Sequence, residues 1–162
     1  MSRSSKLERA ADEHRQAVAA VKATVIRLGE SEGQASPAEG KWTVAELLEH
    51  LVMTYEMALE ELAGRKSATP RVGTLKATAL RLILLPHIIF HKSIPVRAKA
   101  PREIRPTGAR SDCSELLELL STLAEEVVLE ARKAHEQRGR KVNHPYFGPI
   151  RPLQLIGFLT AH

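Results

Sequence analysis

The chain has 162 residues, 43% of them apolar and 27% charged, which fits one soluble globular domain over 1–162 and excludes a disordered chain. Nine glycines and nine prolines exclude collagen-like and low-complexity readings, and a lone cysteine, Cys113, excludes a disulfide framework or a multi-cysteine metal cluster. The net charge is +5, and all of it is accounted for between His91 and Arg110, where six basic residues face the single acid Glu103.

Leu7, Ala11, His14, Val18, Val21, Val25 and Leu28 recur at spacings of four and three, which predicts a first amphipathic helix ending at Gly29. This N-terminal stretch is charged throughout and lacks the apolar core of a secretory signal, so a cytoplasmic protein is expected. Thr43 followed by Glu46 predicts a capping box, and Trp42 with Leu47 a hydrophobic staple, at the start of a second helix. That helix runs through Leu48, Leu51, Tyr55, Ala58 and Leu62 and stops at Gly64.

Leu75 to His91 is apolar nearly all round and is expected to be a central helix, kinked or ended near Pro86. Its longest apolar run, Leu82 to Phe90, falls far short of the ~20 residues that span a bilayer, so no membrane partner is expected. Ser93 to Ser111 carries three prolines and a glycine and reads as a long loop, the length at which loops often have a role. Its cations (Lys92, Arg97, Lys99, Arg102, Arg105, Arg110) suit either an anion-binding footprint or a solvated loop. A smaller cluster, Arg132, Lys133, Arg138, Arg140 and Lys141, suits a helix C-terminus. No aromatics are interleaved for base stacking, so nucleic acid is not an expected partner.

Asp112 with Glu115 predicts a second capping box, and Leu116, Leu120, Leu123, Val127, Ala131 and Ala134 form the stripe of a fourth helix ending at Gly139. Asn143 to Pro149 is turn-rich, and Pro152 suits the first turn of a last helix. No window alternates with period two, so strands are not expected. The fold class is therefore all-α: a four-helix bundle with a long basic loop between the third and fourth helices and a short helical segment at the C-terminus.

Chemistry rests on the seven histidines. No phosphate loop, nucleophile elbow or His-Glu-x-x-His is present, and Cys113 at a helix start has no recognisable base beside it. His50 lies at the edge of the second helix's apolar stripe, and His162 shares a face with Leu155 and Leu159, so both point toward the bundle axis. Two inward imidazoles on different helices are the start of a metal site or a pair of core histidines. His14 reads as an amphipathic core-edge residue, His87 and His91 as a weak i,i+4 pair, and His135 as exposed.

The segment Lys41-Trp42-Thr43-Val44-Ala45-Glu46-Leu47-Leu48-Glu49-His50-Leu51, together with His144-Pro145-Tyr146-Phe147-Gly148-Pro149 and the helix from Pro152 to His162, resembles the DinB/YfiT-like superfamily. More narrowly it is similar to the DUF1569-type branch. The resemblance implies a four-helix bundle holding a divalent metal, often nickel or zinc, on one histidine of the second helix and two spaced four apart on the last. His50 matches the first position and His162 the first of the final pair; the remaining position falls beyond His162. The expectation is a fragment, or a member lacking the third ligand, whose short last helix leaves apolar surface on the first, second and fourth helices. His144 or Glu49 stands as a substitute donor. The resemblance further implies a metal-dependent hydrolase or a transferase using low-molecular-weight thiols, the basic loop binding an anion. The alternative is a non-catalytic bundle that works through association, as a homodimer.

Overall fold

The computed structural model describes residues 3–65, 67–95, 100–137 and 140–162. Helix α1 spans Arg3–Gly33, α2 Val44–Leu62, α3 Thr74–His91, α4 Cys113–Glu136 and α5 Pro152–Ala161. A two-stranded antiparallel hairpin, β1 Val142–His144 and β2 Gly148–Ile150, precedes α5 and pairs Val142 with Ile150. The four-helix core is made by α1, α2, α4 and α5, with α2 on α4 and α1 on both α4 and α5. No helix among the described residues is long and apolar enough to cross a membrane.

The ends of α2 follow the sequence closely. Thr43 Oγ1 accepts the Glu46 N–H at 3.1 Å and Glu46 returns a carboxylate oxygen to the Thr43 N–H at 2.7 Å, which is the expected capping box. At the far end Gly64 takes a left-handed φ of 70°, and the N–H groups of Gly64 and Arg65 return to the carbonyls of Glu61 and Glu60. This is a Schellman motif, and the positive φ requires glycine. At the predicted staple Leu47 is 47% exposed, and Trp42 packs on the ring of His50. The stripe of α4 is buried along its whole length, from Leu116 to Ala134. Asp112 accepts the N–H groups of Ser114 and Glu115, so the cap is one-sided among the described residues, without the expected return bond from Glu115. The predicted stop at Gly139 lies outside the described residues; α4 ends at Glu136.

Three expectations need correction. Helix α1 does break at Gly29, at φ 77°, but resumes for a turn to Gly33. The stretch after Lys141 forms a hairpin; with three residues per strand it is too short to show alternation. The third correction is the largest: α3 is peripheral. Leu75, Leu82, Ile83 and Phe90 are 87%, 69%, 76% and 82% exposed, and only Ala77, Leu85 and Ile88 are buried. The helix leans on α5 and β2. Continuous apolar sequence matched both a two-sided core helix and a one-sided helix with an unpartnered face, and periodicity does not separate them. The exposed apolar surface is therefore concentrated on α3, while α1, α2 and α4 carry only the scattered exposed side chains Ile26, Leu28, Leu47 and Leu129 in place of the expected face. The helix passes through Pro86, which removes the bond to the Leu82 carbonyl; both residues are exposed, on the side of the helix where loss of one bond is tolerated. At Gly157 α5 approaches α3 so closely that a Cβ would lie 3.0 Å from Ile89 Cγ2.

Candidate metal centre

The capped start of α2 fixes the rotation that carries His50 inward. Its Nδ1 lies 2.6 Å from the carbonyl oxygen of Ile104, in the 3-10 turn Arg102–Ile104 of the basic loop. A carbonyl only accepts, so Nδ1 carries the proton and the Nε2 lone pair is left free. Nε2 points at His162 Nε2, 2.9 Å away. His162 ends α5, and although the residue as a whole is exposed its ring lies against His50 and Phe158. With His50 Nε2 as acceptor, His162 Nε2–H is the donor. Burial of the ring, and then the neighbouring His50, hold His162 down at a pKa of about 4, so it is neutral at pH 7. The two histidines singled out from the sequence are thus brought into contact across 112 positions of chain.

His14 has a different role. It is fully buried, its Nε2 accepting from the Tyr55 hydroxyl and its Nδ1–H reaching Thr160 Oγ1, both at 3.3 Å. Thr160 spends its own proton on the Ile156 carbonyl, so it can only accept here. The neutral ring therefore ties α1 to α2 and α5, and burial depresses its pKa to about 4. His87 and His91 lie side by side on the exposed face of α3 with centroids 4.3 Å apart and rings tilted by 42°, and His135 is half-buried rather than exposed. Cys113 is buried against the end of α1, which takes it out of consideration as an exposed nucleophile.

A cavity of about 430 Å³ opens beside the pair. It lies between α2, α3, α5, the hairpin and the turn at Ile104, because α3 leans toward α5 and away from α2. Trp42, His50 and His162 share its wall with the aliphatic side chains of α3. Sequence reasoning missed this space and the Ile104 carbonyl. The loop's length was the available signal for the second; nothing in the α3 pattern signalled the first.

A profile of the DinB superfamily matches residues 10–162, nearly the whole chain. The chain belongs to the DinB superfamily. No curated protein and no solved structure matched it in the other comparisons. For a DinB-superfamily chain the metal is the natural question, and the donor set answers it in part. The His50 and His162 nitrogens converge, and His50 is oriented by a backbone carbonyl on its other nitrogen, as metal-binding imidazoles usually are. Neutral imidazoles suit zinc and nickel. The two substitute donors do not join them. His144 Nδ1 accepts from the Tyr146 and Phe147 N–H groups at 3.2 and 3.4 Å, so its Nε2 carries the proton and offers no lone pair. Burial, and then His162, also lower its pKa to about 4. The Glu49 carboxylate is buried and accepts the Thr107 hydroxyl and the N–H groups of Thr107 and Gly108, which anchors the basic loop. Among the described residues no group of three or more His, Cys, Asp or Glu side chains converges. Of the basic loop's cations, Lys92 pairs with Glu13, Arg110 with Glu56 and Arg105 donates to the Ala100 carbonyl, Arg102 is exposed, and Arg97 and Lys99 lie outside the described residues.

Proposed function

We propose that this DinB-superfamily chain is a divalent-metal-dependent enzyme in which His50 and His162 hold nickel or zinc, acting as a hydrolase or a transferase of low-molecular-weight thiols. The approach of the two Nε2 atoms to 2.9 Å, one of them oriented by the Ile104 carbonyl, carries the reading. Such a metal supplies either an acidified water or a place for a thiolate. The His50 Nε2 lone pair faces His162, whose Nε2 offers a second one once its proton moves to Nδ1, and Trp42 and Phe158 pack on the two rings and limit their exposure to bulk water. The motifs from Trp42 to His50 and from His144 to Pro149 support the DUF1569-type branch, and the single cysteine supports a cytoplasmic setting. Pairing of Lys92 and Arg110 with acids favours structural use of the loop's charge over nucleic-acid contact.

Trp42 is the only tryptophan, and its ring is 5.1 Å from that of His50. Nickel titration should therefore quench its fluorescence saturably, and His50→Ala and His162→Ala should each abolish the effect. Quenching that persists in His50→Ala and disappears in His87→Ala/His91→Ala would place the metal on α3 and overturn the proposal.

A second reading is association of two copies through α3, favoured by its stripe of Leu75, Leu82, Ile83 and Phe90. The stripe contains no charged residue, so a second copy could pack on it without burying a charge. Sedimentation velocity should show a dimer at micromolar concentration and a monomer for Leu82→Lys/Ile83→Lys; a monomeric native chain would remove this reading.

A further inference from the structure

The cavity beside the histidine pair is more apolar than a metal site requires. Met57 and Ala58 of α2 face it, as do Leu80, Leu84 and Ile88 of α3. Most polar groups on its wall are already spent inside the protein. Glu61 accepts the N–H groups of Asn143 and Ala68, Thr54 donates to the His50 carbonyl, and His144 Nδ1 accepts from the hairpin turn. Lys76 is exposed and Tyr146 half-buried. A ligand seated here meets hydrocarbon along its body; the buried polar groups it can engage among the described residues are imidazoles, His162 at one end, by exchanging its bond to His50, and the Nε2–H of His144. A charged body would surrender its hydration without a partner.

The space is built into the fold. Arg81 on α3 donates to the Pro149 carbonyl at 2.9 Å, and the close packing of Gly157 on Ile89 locks α3 to α5. Helix α3 is thereby held off α2 by specific contacts. The volume of about 430 Å³ falls in the range that encloses small organic ligands.

We infer that this cavity binds a small, largely apolar organic molecule, uncharged along its body, whose single polar head reaches the His50–His162 pair. The inference names a substrate class for the metal-dependent reading and rests on that reading only for the chemistry at the head; the apolar seat stands without metal.

The probe is N-phenyl-1-naphthylamine, a neutral apolar fluorophore with one N–H, titrated into the metal-free full chain and followed by its own emission. We expect one saturable site per chain. Leu84→Trp fills the cavity from α3, and Ala68→Phe fills it from a loop where folding is less at risk. Both should retain helical circular dichroism and weaken the probe by about tenfold or more. Leu82→Lys/Ile83→Lys, on the outer face of α3, should leave binding unchanged. Absence of saturable binding, or binding lost only in Leu82→Lys/Ile83→Lys, would overturn the inference. Probe bound by a chain that shows no nickel quenching of Trp42 would keep the cavity and reject the metal; quenching without probe binding would do the reverse.

Discussion

Lowering the pH should destabilise this protein through His14 in a way that one substitution can isolate. The ring is fully buried and neutral, and its pKa in the folded chain is about 4 against an ordinary value of 6.5. The folded-state value lies below the unfolded one, so the unfolded chain takes up the proton first. The contribution is fully present above about pH 6.5, is lost as the pH falls toward 4, and changes no further below that. Between pH 7.5 and 4.5 this shift corresponds to about 2–3 kcal/mol, a large share of the stability of a domain this size. His14→Gln keeps an amide donor and acceptor near Thr160 and Tyr55 but does not titrate. Urea unfolding of both proteins at the two pH values gives a double difference in which His144 and His162, common to both, cancel. The native chain should lose about 2–3 kcal/mol more than the variant on acidification. Equal losses would show that His14 does not stay neutral and buried, and the bridge from α1 to Tyr55 and Thr160 would be wrong.

Other consequences are simpler to read. Glu49→Gln sets an amide N–H₂ against the donors of Thr107 and Gly108; it should cost about 2 kcal/mol and speed tryptic cleavage after Arg102 and Arg110, while unchanged cleavage would deny Glu49 its anchoring role. Thr43→Ala removes one arm of the capping box on α2 and should cost about 1 kcal/mol, lowering Tm by about 2–4 °C in a calorimetric scan. The His87→Ala/His91→Ala chain should unfold within about 0.5 kcal/mol of the native one in urea, since both rings lie on the exposed face of α3.

Much of the architecture was legible because local rules and tertiary burial agree. Thr43, Glu46 and Gly64 bracket α2 by chemistry that acts within a few residues, and the Leu116–Ala134 stripe is buried at every named position. What was not legible depended on relations between elements. The apolar sequence of α3 does not say which face is covered, so a peripheral helix read as a central one. The hairpin rests on three residues per strand and on the left-handed φ of 63° at Gly148, too little for a periodic signal. At the site, the inward faces of His50 and His162 followed from periodicity. Their contact, the Ile104 carbonyl behind His50, and the commitment of Glu49 and His144 to backbone N–H groups are long-range or backbone features that residue identity alone does not express.

The most direct test of the account is metal stoichiometry by elemental mass spectrometry. The His87→Ala/His91→Ala chain, which lacks the exposed α3 pair, is loaded with nickel or zinc and dialysed. The account predicts about one metal per chain, lost when His50→Ala or His162→Ala is added. No retained metal in the background chain with its helical circular dichroism intact, or retention unaffected by removing either histidine, would contradict it.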